Sequence, residues 1–179
     1  MVERVGMEEN VKFNFDEFRK EVLECIKVVY RRLLSKYQSE HIYAFSLAST
    51  SSFDDLYFLA NTVEFLDSCR KEYFLDYKYD EEEWQIWIVE DEIVKAVSKK
   101  LKDFSDTMND RKTQEDFFER LISLYVGILK DLKNEGFFNP DILLNVYVRE
   151  YIDDMDMINI YKELNNEDAV EEYKKFLIG

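Results

Sequence analysis

Apolar residues recur at three- and four-residue spacing from Phe15 to Tyr37, through Phe18, Val22, Ile26, Tyr30, Leu33 and Leu34. That spacing predicts one helix with a single apolar stripe. Asn14, with Glu17 three residues on, predicts a capping box at its start. The pattern then changes. Ile42, Tyr43, Phe45 and Leu47 stand among small residues in a stretch free of acid, which predicts a buried strand over 42–48. The Ser/Thr cluster at 49–52 with Asp54 and Asp55 predicts a turn, and 56–60 a second strand closing a hairpin. Asn61 with Glu64 predicts a capped helix whose apolar face holds Val63, Phe65, Leu66, Cys69 and Tyr73. Asp80 with Glu83 repeats the box spacing just before Trp84. Residues 84–89 are apolar but too few for periodicity to separate strand from helix.

Beyond them, Ile93, Val94, Val97, Leu101 and Phe104 predict a helix over 92–104, and 105–112 reads as a polar loop. From Thr113 a long helix is apolar over more than a narrow stripe, so it should be the most buried element. Gly136 ends it. Residues 142–148 alternate like a strand, and two helices follow near 157–164 and 169–177, broken at Asn165 and Asn166. Only 4 Gly and 1 Pro in 179 residues fit long regular elements. The pattern predicts an α+β fold: one domain over 13–179, with a small, mainly antiparallel sheet covered by long amphipathic helices. Residues 1–12 read as a flexible N-terminal arm. The order of the strands is left open.

Charge adds what periodicity does not show. The net charge is −15, and two segments carry it. Residues 72–92 hold 9 acids against Lys78 alone, and residues 150–172 hold 9 acids against Lys162 alone. The rest of the chain has 22 bases and 21 acids. Both acidic segments also carry aromatics, Trp84 and Trp87 in the first and Tyr151 and Tyr161 in the second. Such a balance disfavours direct contact with nucleic acid or an anionic membrane and favours a basic protein partner. No apolar run is long enough to span a bilayer, and the charged first ten residues do not resemble a secretion signal, so a cytoplasmic location is expected. Cys25 and Cys69 sit at apolar helical positions and read as reduced core thiols.

One order of elements has a precedent. An amphipathic first helix is followed by Ile42-Tyr43-Ala44-Phe45, by Asn61-Thr62 and Glu64, and by Glu83-Trp84. A central helix then closes on Glu135-Gly136 and Phe138, before a β-rich strand, an acidic turn and Leu164-Asn165. Over roughly residues 13–166 this resembles a bacterial family known only as a domain of unknown function, the 4303 type. Its members are often encoded near polymorphic toxins. The turn before Glu83-Trp84 is more acidic here than in that family. The resemblance implies an α+β fold and an immunity-type role, and it supplies no catalytic residues.

Candidate chemistry is sparse. Asp80, Glu81, Glu82 and Glu83 with Trp84 and Trp87 form a candidate partner-binding site, since carboxylates pair with Arg and Trp anchors interfaces. The same acids would also suit a solvated helix start. Asp153, Asp154 and Asp156 are the matching candidates in the second segment. Read as a calcium loop from Asp154, they fail, because Asn159 and Asn165 stand where Gly and Glu are needed. No metal site is expected, and no cofactor motif is present. His41 is the only histidine, at a helix-to-strand junction, and reads as a surface or capping residue.

Three functions compete on this basis. One is a non-enzymatic, acidic immunity-type protein that occludes a basic toxin or effector domain. Another is a nucleic-acid mimic that inhibits a DNA- or RNA-binding protein. The last is an enzyme of unknown chemistry, which would place a perturbed carboxylate or His41 in a pocket wall. Oligomeric state is not encoded in any of these features.

Overall fold

A computed structural model describes residues 12–178; most of the expected N-terminal arm lies outside these residues. Helix α1 (Phe15–Lys36) starts as expected, with the Asn14 side chain accepting from Glu17 N–H and donating to the Glu17 carboxylate. Strands β1 (Ile42–Ser49) and β2 (Tyr57–Thr62) form the hairpin. Its turn is held by hydroxyl bonds from Thr50 and Ser52 to Asp54. Phe53, at φ 51°, buries its ring against Phe118 at 4.3 Å.

The helix expected across 61–73 is broken. Helix α2 (Val63–Ser68) stops because the Ser68 hydroxyl and the Cys69 thiol both donate back to the Phe65 carbonyl, competing with the backbone ladder. A 3₁₀ turn (Lys71–Tyr73) and helix α3 (Phe74–Tyr79) follow. The cap is also one residue later than expected. Thr62, not Asn61, accepts from Phe65 N–H, while Asn61 is a buried strand residue. Glu64 turns back to accept from the His41 backbone N–H and pairs with its ring at 2.7 Å.

After a second 3₁₀ turn (Glu81–Glu83), strand β3 (Ile86–Ile88) settles the ambiguity at 84–89. Helix α4 (Glu92–Ser105), helix α5 (Arg111–Asn134), strand β4 (Leu143–Val148) and helices α6 (Asp154–Leu164) and α7 (Glu167–Ile178) complete the chain. At the end of α5, Gly136 at φ +72° donates to the Lys133 carbonyl and Phe137 donates to that of Leu132. This is a Schellman closure. A Cβ at Gly136 would meet nothing within 4 Å, so only the left-handed backbone penalises a side chain there. Gly136→Ala should cost about 1 kcal/mol in a denaturant titration.

The sheet order is β3-β2-β1-β4, with β1 antiparallel to β2, β2 antiparallel to β3, and β1 parallel to β4. The mainly antiparallel α+β expectation holds. Alternation sorts the side chains onto two faces. Phe45, Leu47, Phe58, Ile86, Leu144 and Val146 face a core shared with α1, α4 and α5, where Cys25 is fully buried. Ala44, Ala48, Leu59 and Leu143 face a second, smaller core built from Tyr79, Trp84, Met157, Tyr161, Val170 and Tyr173. The sheet is thus the middle of three layers, and both acidic segments contribute to the second covering layer. Cys69 is only half-buried, so it is not the core thiol its spacing suggested.

Candidate functional site

The second layer joins the two acidic segments. Small residues at 44, 46 and 48 let large rings lie close to β1. Tyr161 of α6 and Tyr173 of α7 stack at 3.9 Å and 3°. Tyr79 of α3 meets Tyr173 edge-on at 5.6 Å. Lys78 and Tyr79 both donate to the Glu172 carboxylate. Burial opposes ionisation of Glu172, yet those two bonds outweigh it and hold its carboxyl below the usual range. Burial pushes the Tyr173 phenol up, and the Asp154 and Asp80 charges add to this.

The run Asp80–Glu83 divides between surface and interior. Asp80 is half-buried and caps the 3₁₀ turn by accepting from Glu82 N–H. A three-residue period puts Glu81 and Trp84 on the same side of that turn. Both point inward, at 3% and 2% exposure. Neither offers surface to a partner, which corrects their place among the contact candidates. Glu82 and Glu83 remain exposed. Glu82 accepts from the Tyr147 hydroxyl at 2.6 Å and pairs with Arg149 at 3.2 Å. Trp87 is 48% exposed, stacked on Tyr57 at 5.8 Å, with its indole N–H bonded to the Trp84 carbonyl.

In the second segment, Asp153 caps α6 by accepting from Asp156 N–H, so its oxygen already serves the helix. Asp153, Asp154 and Asp156 are all exposed. Asp156 lines a separate cleft between α5 and α6 with Glu119 and Tyr151, away from the shared layer. The structure therefore joins the two segments through Lys78, Tyr79 and Glu172, and leaves Asp156 apart and Trp87 towards the β3 edge. No group of three or more His, Cys, Asp or Glu side chains is arranged to hold a metal ion among the described residues.

The feature that sequence reasoning missed lies beneath the acidic turn. The Glu81 carboxylate is sealed against the sheet and accepts a bond from the Asn145 amide. Burial pushes its carboxyl up to about 7, and the neighbouring Asp80 charge adds to this, against the lowering effect of Asn145. Around it, Asn145 Oδ1, Tyr161 OH and Trp84 Nε1 are buried without a hydrogen-bond partner among the described residues. The Asn61 amide nearby donates to Tyr43 OH and to the Tyr77 carbonyl, both at 3.1 Å. Asn145 and Asn61 at inward positions of otherwise apolar strands were the available signal. His41, by contrast, lies exposed against Glu64.

Fold and site together define a three-layer α+β protein whose sheet carries an acidic, aromatic cover on one face. The chain belongs to the family described as Domain of unknown function (DUF4303), whose model matches residues 22–166. No curated protein and no solved structure matches it.

Proposed function

We propose that this protein is a non-enzymatic acidic binding protein of the immunity type, which occludes a basic toxin or effector domain in the cytoplasm. The observation that carries this is the joining of two acidic segments in one covering layer, although they lie far apart in the chain. Support also comes from what lies beneath them. The Tyr79, Tyr161 and Tyr173 rings pack α3, α6 and α7 into one cluster, so the two acidic segments belong to a single packed layer. A preorganised carboxylate patch accelerates encounter with a cationic surface and orders its approach. No helix among the described residues is long and apolar enough to cross a membrane.

The test is co-production with each protein encoded beside this chain. A neighbour that arrests growth when produced alone should be tolerated when this chain is present. Arrest by a toxic neighbour that persists undiminished in its presence would refute the immunity role.

A further inference from the structure

Glu81 and Trp84 are the inward side chains of the turn between α3 and β3. The turn is a single 3₁₀ winding, closed by Glu83 N–H to the Asp80 carbonyl at 3.0 Å and by Trp84 N–H to the Glu81 carbonyl at 3.3 Å. On its outer side the exposed Glu82 ties it to Tyr147 of β4 and to Arg149. Short 3₁₀ windings have poorer hydrogen-bond geometry than α-helices. Such a turn opens more readily than the sheet and long helices around it.

The place beneath the turn suits a neutral acid. Asn145 is the one side chain that donates to Glu81 among the described residues. In the same layer, Tyr161 OH and Trp84 Nε1 donate to nothing and Asn145 Oδ1 receives nothing among those residues. A carboxyl that keeps its proton both donates and accepts, so it can serve such an acceptor; a carboxylate only accepts. No cation compensates a charge there, since Lys78 is committed to Glu172 and Arg149 to Glu82. Five phenols feel the Glu81 charge: Tyr43 of β1, Tyr57 of β2, Tyr147 of β4, Tyr161 of α6 and Tyr173 of α7. Burial pushes each of them above its usual range, so they stay neutral at pH 5 to 8. Tyr79 of α3 is bonded to Glu172, and Asp80 in the turn itself adds a like charge. His41, the only histidine, is exposed against Glu64.

We propose that Glu81 is a proton-operated latch: with its proton it holds the Asp80–Trp84 turn shut against β4, and loss of the proton drives the turn open and carries the carboxylate to water. The linkage has a definite sign. The carboxyl has an ordinary value of 4.5 and is pushed up to about 7 by burial in the closed turn. Closure is therefore firmest below pH 4.5, and opening gains about tenfold per pH unit from there to about 7, then levels off. Glu82 and Glu83 ride on this turn, so the latch decides where two carboxylates of the acidic layer stand. It acts without any partner, and its test does not depend on the immunity role.

The test is amide hydrogen exchange of the full chain by NMR, corrected for intrinsic rates, from pH 5 to pH 8. Protection of the Glu83 and Trp84 amides should lie below that of the buried middle of α5, as local opening requires. It should also fall by about a hundredfold across this range and level off above pH 7. Glu81→Gln should remove that fall. Protection equal to that of α5 would overturn the proposal, because the turn would then open only when the whole chain unfolds. Protection in the parent that does not change with pH would overturn it too, as would a fall of the same size in Glu81→Gln. The parent alone supplies a second readout: the Glu81 carboxyl carbon resonance should titrate with a midpoint well above 4.5, and a midpoint at 4.5 would refute the latch.

Discussion

Replacing Glu81 with glutamine will stabilise the protein at pH 8, with a much smaller effect at pH 5. The sign follows from the direction of the shift. The carboxyl moves from an ordinary 4.5 to about 7 on folding, because burial opposes its charge. The unfolded chain therefore releases this proton at lower pH than the folded one. Stability from this group is full below pH 4.5, falls as pH rises towards 7, and is flat above. The folded state then carries a penalty of at most about 3 kcal/mol at pH 8, and about 1 kcal/mol at pH 5. Asn145, the backbone and Asp80 are the groups acting on it, and none is a cation. A glutamine side chain in this place would keep the bond from Asn145 without the charge. The expected gain at pH 8 is about 5–10 °C in melting temperature for a domain of this size. A Glu81→Gln protein that melts at the same temperature as the parent at pH 8 would mean that the carboxylate is solvated in the native state.

Reversing Glu82, Glu83 and Asp154 to lysine will slow association with a basic partner by about tenfold at low salt. It will leave the fold intact. Each of these side chains is exposed, and exposed ion pairs are worth about 0–1 kcal/mol, so losing the Arg149 and Tyr147 contacts to Glu82 costs little. Lysine in the first turn of α6 opposes the helix dipole by about 0.5 kcal/mol, which the domain tolerates. Asp80, Glu81 and Asp153 are excluded from the variant because they cap helical turns or lie buried. Stopped-flow rates measured across ionic strength check this. The parent rate should fall steeply with salt and the variant rate should not.

Much of the architecture is written in local patterns. The Asn14–Glu17 box, the hairpin, the Gly136 closure and the β4 strand each depend on residues within a few positions of one another, and each appears where its pattern puts it. Local pattern failed where two local choices compete. Asn61 and Thr62 are both good caps, and the decision fell to Thr62 because the Asn61 amide is drawn to Tyr43 and Tyr77 across the sheet. It failed again at Asp80–Glu83. Four consecutive acids read as a solvated surface, and only the three-residue period of a 3₁₀ turn, packed beside Asn145, sends Glu81 inward with Trp84. The joining of the two acidic segments was also beyond sequence periodicity. It depends on Lys78 and Tyr79 meeting Glu172 nearly a hundred residues away.

Hydrogen exchange of the intact chain, with and without the basic effector domain proposed as its partner, addresses the acidic face most directly. A single face made from two segments predicts slowed exchange in the Asp80–Trp84 turn, the first turn of α6 and the facing part of α7 together, with the α1–α4–α5 layer unchanged. Slowing confined to one acidic segment, or to the α1–α4–α5 layer, would contradict it.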